Sequence, residues 1–297
     1  MLDQATRDAI AQLPCWTGKI AVAALTGGIT NRNFLVTSPD QQRFVVRLGR
    51  DIPEHGVMRF NERAAARAAH AAGLSPEVTY AGEGYLVSRF IDGRTLTPAD
   101  VREAHNLERI VALLRRCHHD LPRHFQGPAL IFWVFQVIRN YLQLLDARHE
   151  NPYEVTLATL AARADRLEQA VGPVTIVFGH NDLLAANLLD DGRRLWLIDW
   201  DYAGFNSPLF DLANLATNNE FPVELAMKVL GDYFGKPPGA NLRRGFAAMQ
   251  CASLLRETLW GAVSRLTSSI DFDYASYARD YLGRFELLWQ EFEAVHG

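Results

Sequence analysis

The sequence predicts an α+β fold of two lobes, a small β-rich N-terminal lobe over residues 1–93 and a larger helical C-terminal lobe over residues 94–297. The length of 297 residues is more typical of two lobes than of one compact unit. Up to about Phe90 the apolar segments are short and separated by glycines, which indicates strands. Beyond Arg94 the apolar residues recur at helical spacing over longer stretches, which indicates helices.

The first lobe is expected to contain a small mixed sheet of five strands, with one helix between the third and fourth. The predicted strands are Ile20–Leu25, Asn33–Thr37, Phe44–Leu48, Val78–Tyr80 and Tyr85–Phe90. Arg59–Ala72 is predicted as the helix, because it is alanine-rich and Gly73 supplies a glycine directly after its end. Residues 91–94 read Ile-Asp-Gly-Arg, a turn sequence that we interpret as the hinge between the lobes.

The second lobe is predicted to be helical, with two strands that flank a polar segment. The predicted helices are Pro98–Leu121, Ile131–Leu145, Leu157–Val171, Leu209–Thr217, Pro222–Phe234, Leu242–Leu266 and Tyr274–Glu293. The two strands, Val174–Phe178 and Arg194–Ile198, each end beside polar residues. We therefore expect the functional residues to lie between these two strands and directly after the second one.

Composition and charge exclude several classes of protein. A net charge of −4, without any run of lysine or arginine, gives no reason to expect a nucleic-acid partner. No apolar stretch approaches the ~20 residues needed to span a bilayer, and the first residues do not resemble a signal peptide. Cys15, Cys117 and Cys251 are far apart, so we expect free thiols in a cytoplasmic protein rather than disulfides or a zinc site. The sequence leaves the oligomeric state open.

The most informative segment is Phe178–Leu189, where polar residues lie between two apolar strands. Asp182, Asn187 and Asp199 form a carboxylate–amide–carboxylate series that suits phosphoryl transfer. We expect Asp182 to contact the acceptor hydroxyl. Asn187 and Asp199 offer the oxygen ligands that Mg²⁺ prefers, so we expect them to bind the metal. His180 is interpreted as structural, orienting the loop; the alternative for the whole segment is a polar turn before a strand.

The nucleotide side of the predicted site is less specific. Gly27 and Gly28 would allow backbone N–H groups to approach phosphate closely, although a glycine pair by itself more often marks an ordinary hairpin turn. Arg47 lies in the middle of the third strand and could bind nucleotide phosphates while paired with Glu62 on the helix, or could simply face solvent. Lysine occurs only three times, and GxxxxGK[ST] does not occur. A Walker-type nucleotide site is therefore excluded.

Together these segments resemble the choline/ethanolamine kinases, in particular their bacterial branch within the aminoglycoside-phosphotransferase-like superfamily. The resemblance is carried by residues 27–31, 47–49, 180–189 and 198–214, and it extends from about Leu25 to Tyr281. It implies a bilobal protein-kinase-like fold and phosphorylation of a small alcohol that depends on ATP and Mg²⁺. It also implies that Gly27, Gly28, Thr30 and Asn31 contact ATP and that Asp211 braces the catalytic loop.

The resemblance also suggests an acceptor pocket in the C-terminal helices. It implies that Trp260 and Tyr277 hold a small cation on their aromatic faces, with Glu257 and Glu220 as nearby carboxylates; without it, these aromatic residues would be interpreted as core. Asp201 and Tyr202 are placed on the acceptor side. Two departures from the eukaryotic family pattern, Leu184 in place of Gln and Glu257 in place of Trp, leave the acceptor as choline or ethanolamine.

Two alternatives are kept open. Another small-molecule kinase of the same superfamily, acting on thiamine, homoserine or an aminoglycoside, would retain every catalytic residue and differ only in the pocket. A non-catalytic pseudokinase would be expected to lack Asp182, Asn187 or Asp199, and all three are present.

Overall fold

The computed structural model describes residues 2–25, 31–151 and 153–296. A β-sheet dominates the N-terminal part, and helices dominate the rest, as the sequence predicts. Gly27, Gly28 and Thr30, three of the predicted nucleotide-binding residues, lie outside the described residues.

The N-terminal lobe is built on a five-stranded sheet in the order β1-β2-β3-β5-β4. Its elements are α1 (Gln4–Ala11), β1 (Ala21–Leu25), β2 (Arg32–Thr37), β3 (Arg43–Leu48), a 3-10 helix (Pro53–His55), α2 (Arg59–Ala71), β4 (Val78–Gly82) and β5 (Tyr85–Arg89). The prediction of a mixed sheet is wrong, because all four pairings in this sheet are antiparallel. After α2 the chain enters the edge strand β4, and the hairpin to β5 returns it beside β3.

The two sides of the N-terminal lobe contribute to different cores. Alternate residues of β2 and β3, including Phe34, Val36 and Val46, pack with Ile10 of α1 in a small cluster. The alanine face of α2 instead joins the large core of the helical lobe. Since α2 is packed against the second lobe, Glu62 on this helix has a fixed position relative to the loops of that lobe.

The C-terminal lobe contains mainly helices, and its described residues include short strands between them. After β6 (Arg94–Thr95), its elements are α3 (Pro98–Val101), α4 (Ala104–His119), a 3-10 helix (Leu121–Arg123), α5 (Val134–Ala147), α6 (Leu157–Val171), β7 (Val177–Gly179), a 3-10 helix (Ala185–Asn187), β8 (Leu188–Asp190), β9 (Leu195–Leu197), β10 (Gly204–Asn206), α7 (Pro208–Asn218), α8 (Val223–Phe234), α9 (Ala240–Thr267) and α10 (Tyr274–His296). Strand β7 pairs with β10, and β8 lies between β6 and β9. These pairings bring the polar loops after β7 and β9 together.

The predicted single helix Pro98–Leu121 is divided into α3 and α4. Thr97 and Asp100 form a reciprocal capping box that starts α3. The Asn106 side chain then donates a hydrogen bond of 2.9 Å to the Asp100 carbonyl. The same carbonyl also accepts the Glu103 backbone N–H at 3.2 Å. Competition from a side chain for a backbone acceptor favours a break in the helix at this point.

The predicted hinge contains a glycine in close contact with the second lobe. A Cβ atom on Gly93 would lie 2.5 Å from the carbonyl oxygen of Asp190, too close for any other residue without a shift. The following residue, Arg94, pairs with Asp190 in the β6–β8 ladder. The chain therefore passes between the lobes directly beside the strand that follows the polar loop.

Within the described residues, none of the helices has the length and apolar character needed to cross a membrane. Cys117 and Cys251 are buried and Cys15 is half-buried, and all three thiols are free.

His55 connects the 3-10 helix of the first lobe to the helical lobe. Its Nδ1 is hydrogen-bonded to the Tyr141 hydroxyl and its Nε2 to the Ser264 hydroxyl, each at 3.0 Å. Burial, helped by the positive charge of Arg256, lowers the pKa of His55 to about 3. The neutral imidazole is therefore a fixed polar contact between a loop of the sheet lobe and helices α5 and α9.

We expect His55→Ala to lower the free energy of unfolding by about 2–4 kcal/mol, because two buried hydroxyls lose their partner and a cavity remains. Denaturant unfolding measures this loss. His105→Ala is the matched control, since the His105 side chain is 67% exposed, and it should change the stability little. Equal stabilities for the two variants would contradict the proposed contribution of His55.

Candidate active site

The loop after β7 is held by side chains of α7. The Asp211 carboxylate accepts hydrogen bonds from the backbone N–H groups of His180, at 2.8 Å, and Asn181, at 2.7 Å. It also bonds His118 Nε2 at 3.0 Å. Although burial opposes the shift, these hydrogen bonds and the neighbouring histidines lower the pKa of Asp211. Asp211 therefore has the contacts expected of a brace, and it does not point into the chemistry.

Further amides fix the same loop. Leu183 donates its backbone N–H to Asn214 Oδ1 at 2.6 Å, and Asn219 Nδ2 donates to the Leu183 carbonyl at 3.1 Å. Asn181 has a left-handed backbone with φ of 67°, and its side chain bonds the carbonyl of Tyr202 at 2.9 Å. The two residues that flank Asp182 are thus bonded on both sides, so its carboxylate is presented in a fixed direction.

His180 lies inside the loop and has no contact with solvent. Its Nε2 is hydrogen-bonded to the Ile198 carbonyl at 3.0 Å, and its ring packs edge-on against Trp200. Burial lowers the pKa of His180, so the ring is neutral. These contacts join the loop to the end of β9.

Asp182 lies between the two halves of the predicted site. On one side, Asn187 Nδ2 donates to the Asp182 carbonyl at 2.8 Å and to its Oδ2 at 3.3 Å. On the other, Arg256 Nη1 lies 3.8 Å from Asp182 Oδ1. Burial raises the pKa of Asp182 to about 8; Arg256 opposes the shift, and Glu257 and Asp199 add to it. A carboxylate with a raised pKa is a better proton acceptor.

Asn187 and Asp199 lie on adjacent segments. The Asn187 carbonyl accepts a hydrogen bond from the N–H of Ile198, the residue before Asp199, at 3.0 Å. Because Asn187 donates its Nδ2 to Asp182, its Oδ1 remains as a ligand oxygen. Asp199 has a left-handed backbone, with φ of 68°, a conformation that often marks functional sites.

These oxygens fit Mg²⁺ as it is held in nucleotide sites. In the described chain no three histidine, cysteine or acidic side chains form a metal cage. Mg²⁺ does not need one, because it is usually bound by one or two protein oxygens together with substrate phosphates and water. An amide oxygen and a carboxylate at the junction of the lobes match this donor set.

Arg47 brings three carboxylates to one nitrogen. Its Nη1 bonds Glu62 at 3.0 Å and both Asp199 and Asp201 at 2.8 Å. The pairing with Glu62 is the one considered from the sequence. Although burial opposes the shift, the Arg47 charge and hydrogen bond lower the pKa of Asp199. Asp199 therefore stays ionised, as a metal ligand must.

Arg59 is a member of this cluster that sequence reasoning missed. Its Nη1 bonds Glu62 and Asp201, each at 2.7 Å, and its Nη2 donates to Asn31 Oδ1 at 2.8 Å. Asn31 in turn donates to Asp201 at 2.7 Å. From the sequence, Asp201 is expected on the acceptor side. Its bonds to Arg47, Arg59 and Asn31 instead make it part of the cluster on the nucleotide side. Burial, with the nearby charge of Asp199, raises the pKa of Asp201 to about 7.

A cavity of about 220 Å³ lies beneath the sheet, next to Arg47, Glu62 and Asp199. Much of its remaining lining is apolar, which suits a planar ring beside a charged group. The apolar residues that line it include Leu25, Val45, Ala66, Val78, Leu86, Phe90, Leu189 and Ile198.

The acceptor residues predicted on α9 and α10 converge. The Tyr277 hydroxyl donates to Glu257 Oε2 at 2.8 Å, and the Trp260 and Tyr277 rings are 5.4 Å apart at 66°. Trp260 Nε1 donates to the Tyr202 hydroxyl at 2.8 Å, so Tyr202 lies beside the residues predicted to bind the acceptor. Arg256, missed from the sequence, bonds Glu257 Oε1 with its Nη1. A continuous chain of contacts thus links Asp182 to the aromatic cluster.

Glu220 is not brought into this cluster. It is exposed at the turn after α7, where its backbone is left-handed with φ of 53°. The described residues therefore provide no contact that supports the assignment of Glu220 to substrate binding.

The fold and the site together define a phosphotransferase of the protein-kinase-like class, with an antiparallel sheet lobe, a helical lobe and a carboxylate–amide–carboxylate site at their junction. The sequence profile of the choline/ethanolamine kinase family matches residues 22–227, more than half of the chain. The chain belongs to this family, whose members phosphorylate an alcohol, and the resemblance and fold class inferred from the sequence are confirmed.

Individual relatives support the assignment. Protein LicA of Haemophilus influenzae is 29% identical over 211 residues, which cover 70% of this chain and 61% of that protein. Human ethanolamine kinase 2 is 27% identical over 293 residues, covering 89% and 75%. A solved choline/ethanolamine kinase family protein from Mesorhizobium loti superposes with a TM-score of 0.78 at 27% identity, covering 97% of this chain and 96% of its own.

We expect Asp211→Asn to lower kcat by about 100-fold, because an amide cannot accept both backbone N–H groups and the catalytic loop shifts by a fraction of an ångström or more. Steady-state phosphoryl transfer measures the effect. Asp191→Asn is the matched control: Asp191 also accepts two backbone N–H groups, those of Arg193 and Arg194, but in an exposed turn. Unchanged kcat in folded Asp211→Asn would refute the bracing role.

Proposed function

We propose that the protein transfers the γ-phosphate of ATP, with Mg²⁺, to the hydroxyl of a small cationic alcohol, choline or ethanolamine. The observation that carries the proposal is the position of Asp182. It lies between Asn187 on the nucleotide side and the Arg256–Glu257 pair on the acceptor side. A carboxylate in this position can contact a hydroxyl whose cationic end lies among Glu257, Trp260 and Tyr277.

On the nucleotide side, the adenine ring enters the apolar cavity and Arg47 binds the phosphates. The described hydrogen bonds of Arg47 all involve Nη1. Its Nε and Nη2 are therefore the nitrogens available to phosphate oxygens. A lysine has only one nitrogen, which could not bind the carboxylates and the phosphates through separate atoms. Glu62, with Arg59 and Asn31 behind it, holds the guanidinium in place. Gly27, Gly28 and Thr30 are assigned to the phosphates from the sequence.

Asn187 and Asp199 would hold Mg²⁺, which when bound neutralises charge on the phosphate oxygens. Asp182 orients the acceptor hydroxyl toward the γ-phosphate and accepts its proton. The new P–O bond forms as the bond between the γ-phosphorus and the bridging oxygen of the β-phosphate breaks, and ADP leaves. Most of the rate enhancement then comes from position and electrostatics rather than from covalent chemistry by the protein. The loop contacts of Asp211 and Asn214 supply that position.

The cationic end of the acceptor is assigned to the cluster of Glu257, Trp260 and Tyr277. Aromatic faces attract an ammonium group, and a carboxylate adds charge attraction. The relatives named as choline or ethanolamine kinases are consistent with an acceptor of this type. The free thiols fit a reducing compartment, so we place the reaction in the cytoplasm.

We expect Asp182→Asn to reduce phosphoryl transfer by about 100- to 10,000-fold, the contribution of a general base, while ATP still binds. A coupled ADP-release assay with choline, ethanolamine, thiamine and an aminoglycoside identifies the acceptor, and removal of Mg²⁺ with EDTA should abolish turnover. Equal activity of wild type and variant would reject the role of Asp182. Turnover of thiamine or the aminoglycoside alone would reject the acceptor class and keep the kinase.

We expect Trp260→Ala to raise KM for the amino alcohol by about 3- to 30-fold, because an aromatic contact worth about 0.5–2 kcal/mol is lost. KM for ATP should stay within about twofold, since Trp260 lies away from the apolar cavity. Trp289→Ala is the control, because Trp289 is 6% exposed against 5% for Trp260 but packs elsewhere, on Phe285 and Phe292. Equal effects on both substrates would remove Trp260 from the acceptor pocket.

A further inference from the structure

Arg256 is a buried cation within the proposed acceptor pocket. It lies on α9 and is 1% exposed. Its guanidinium carbon is 4.3 Å from the centre of the Tyr202 ring, and its Nη1 bonds Glu257 and approaches Asp182. An acceptor whose hydroxyl meets Asp182 and whose cation meets Glu257 must therefore pass directly beside this guanidinium.

The remaining nitrogens of Arg256 have no partner in the described chain. Neither Nε nor Nη2 has a hydrogen bond within residues 2–25, 31–151 and 153–296, and both atoms are buried. Buried donors are satisfied in the great majority of cases, and leaving one unpaired costs free energy. Two unpaired donors on one ionised side chain therefore carry an unusually large cost in free energy.

A purely structural role does not require this arrangement. An arginine that only neutralises a carboxylate usually does so with two parallel N–H bonds. Arg256 instead shares Nη1 between Glu257 and Asp182 and keeps the Nε–Nη2 edge, the edge that fits two oxygens of one anionic group, without a protein partner.

We propose that Arg256 binds an anionic group next to the acceptor hydroxyl, through Nε and Nη2. Two sources share this chemistry: the phosphoryl group once it is on the acceptor oxygen, and a carboxylate carried by the acceptor itself. The inference rests on the proposed function for the location of the hydroxyl. It adds a residue that recognises negative charge to a pocket otherwise described by its affinity for a cation.

The balance of charge favours such a role. Asp182 and Glu257 are both acidic, and delivery of a phosphoryl group adds further negative charge beside Asp182. The described cation that contacts both of these carboxylates is Arg256. It can offset the added charge at short range in a buried site, where electrostatic interactions are weakly screened.

Three ligands that differ by one group test the proposal. Ethanolamine is the reference, serine adds a carboxylate, and phosphoethanolamine adds the phosphoryl group. Calorimetry measures their binding to wild type, Arg256→Met and Arg256→Lys. Lysine keeps the charge beside Glu257 but lacks the two-nitrogen edge, so it remains informative if the methionine variant does not fold. Arg284→Met is the control, since Arg284 lies over the Tyr281 ring at 4.9 Å but bonds the Thr217 carbonyl.

We expect both Arg256 variants to weaken at least one anionic ligand by about tenfold or more, the value of a charge-assisted pair of hydrogen bonds, and ethanolamine by less than about threefold. Loss confined to phosphoethanolamine identifies the phosphoryl group, and loss for serine identifies a carboxylate. An equal loss for all three ligands, or none, overturns the proposal. Calorimetry measures binding without turnover. Absence of kinase activity would therefore reject the proposed function without changing the measured effect of Arg256 on anion binding.

Discussion

The ion cluster around Arg47 is the interaction on which the rest of the site depends. One nitrogen of a strand residue meets carboxylates from α2 and from the segment after β9, so both lobes contribute to a single set of charges. Each of these groups would be costly to bury alone, and each is stabilised because the others are present. The relative position of the two lobes is consequently coupled to the position of Asp199.

The same principle, that buried polar groups need partners, explains the loop around Asp182. The loop has little regular structure, and its backbone N–H and carbonyl groups are paired with side chains of Asp211, Asn214 and Asn219. These partners come from α7 and the turn that follows it, and α7 is buried along its whole length. A rigid helix thus holds an irregular loop, which gives the Asp182 carboxylate a direction that the loop alone could not maintain.

The sequence predicts some of these features and not others for physical reasons. Asp182, Asn187 and Asp199 stand out because polar residues between two apolar strands have no place in an ordinary core. Arg59 and Arg256 do not stand out, since a charged residue on a helix normally faces solvent, and only tertiary packing shows that α9 is buried on all sides near Arg256. The three-residue strand β10 likewise does not stand out in the sequence, because it is defined by its pairing with the distant β7, whose segment the sequence does predict as a strand.

The composition of the proposed acceptor pocket bears on its selectivity. Glu257 has both oxygens engaged, one by Arg256 and one by the Tyr277 hydroxyl. A ligand ammonium must therefore share an already paired carboxylate, and its binding depends more on the faces of Trp260 and Tyr277 than on a free charge. Aromatic faces accept a methylated cation as readily as a primary amine, whereas hydrogen bonds favour the amine. Because both Glu257 oxygens are already engaged, the proposed pocket offers a cation mainly aromatic faces and gives a primary amine little advantage over a methylated cation.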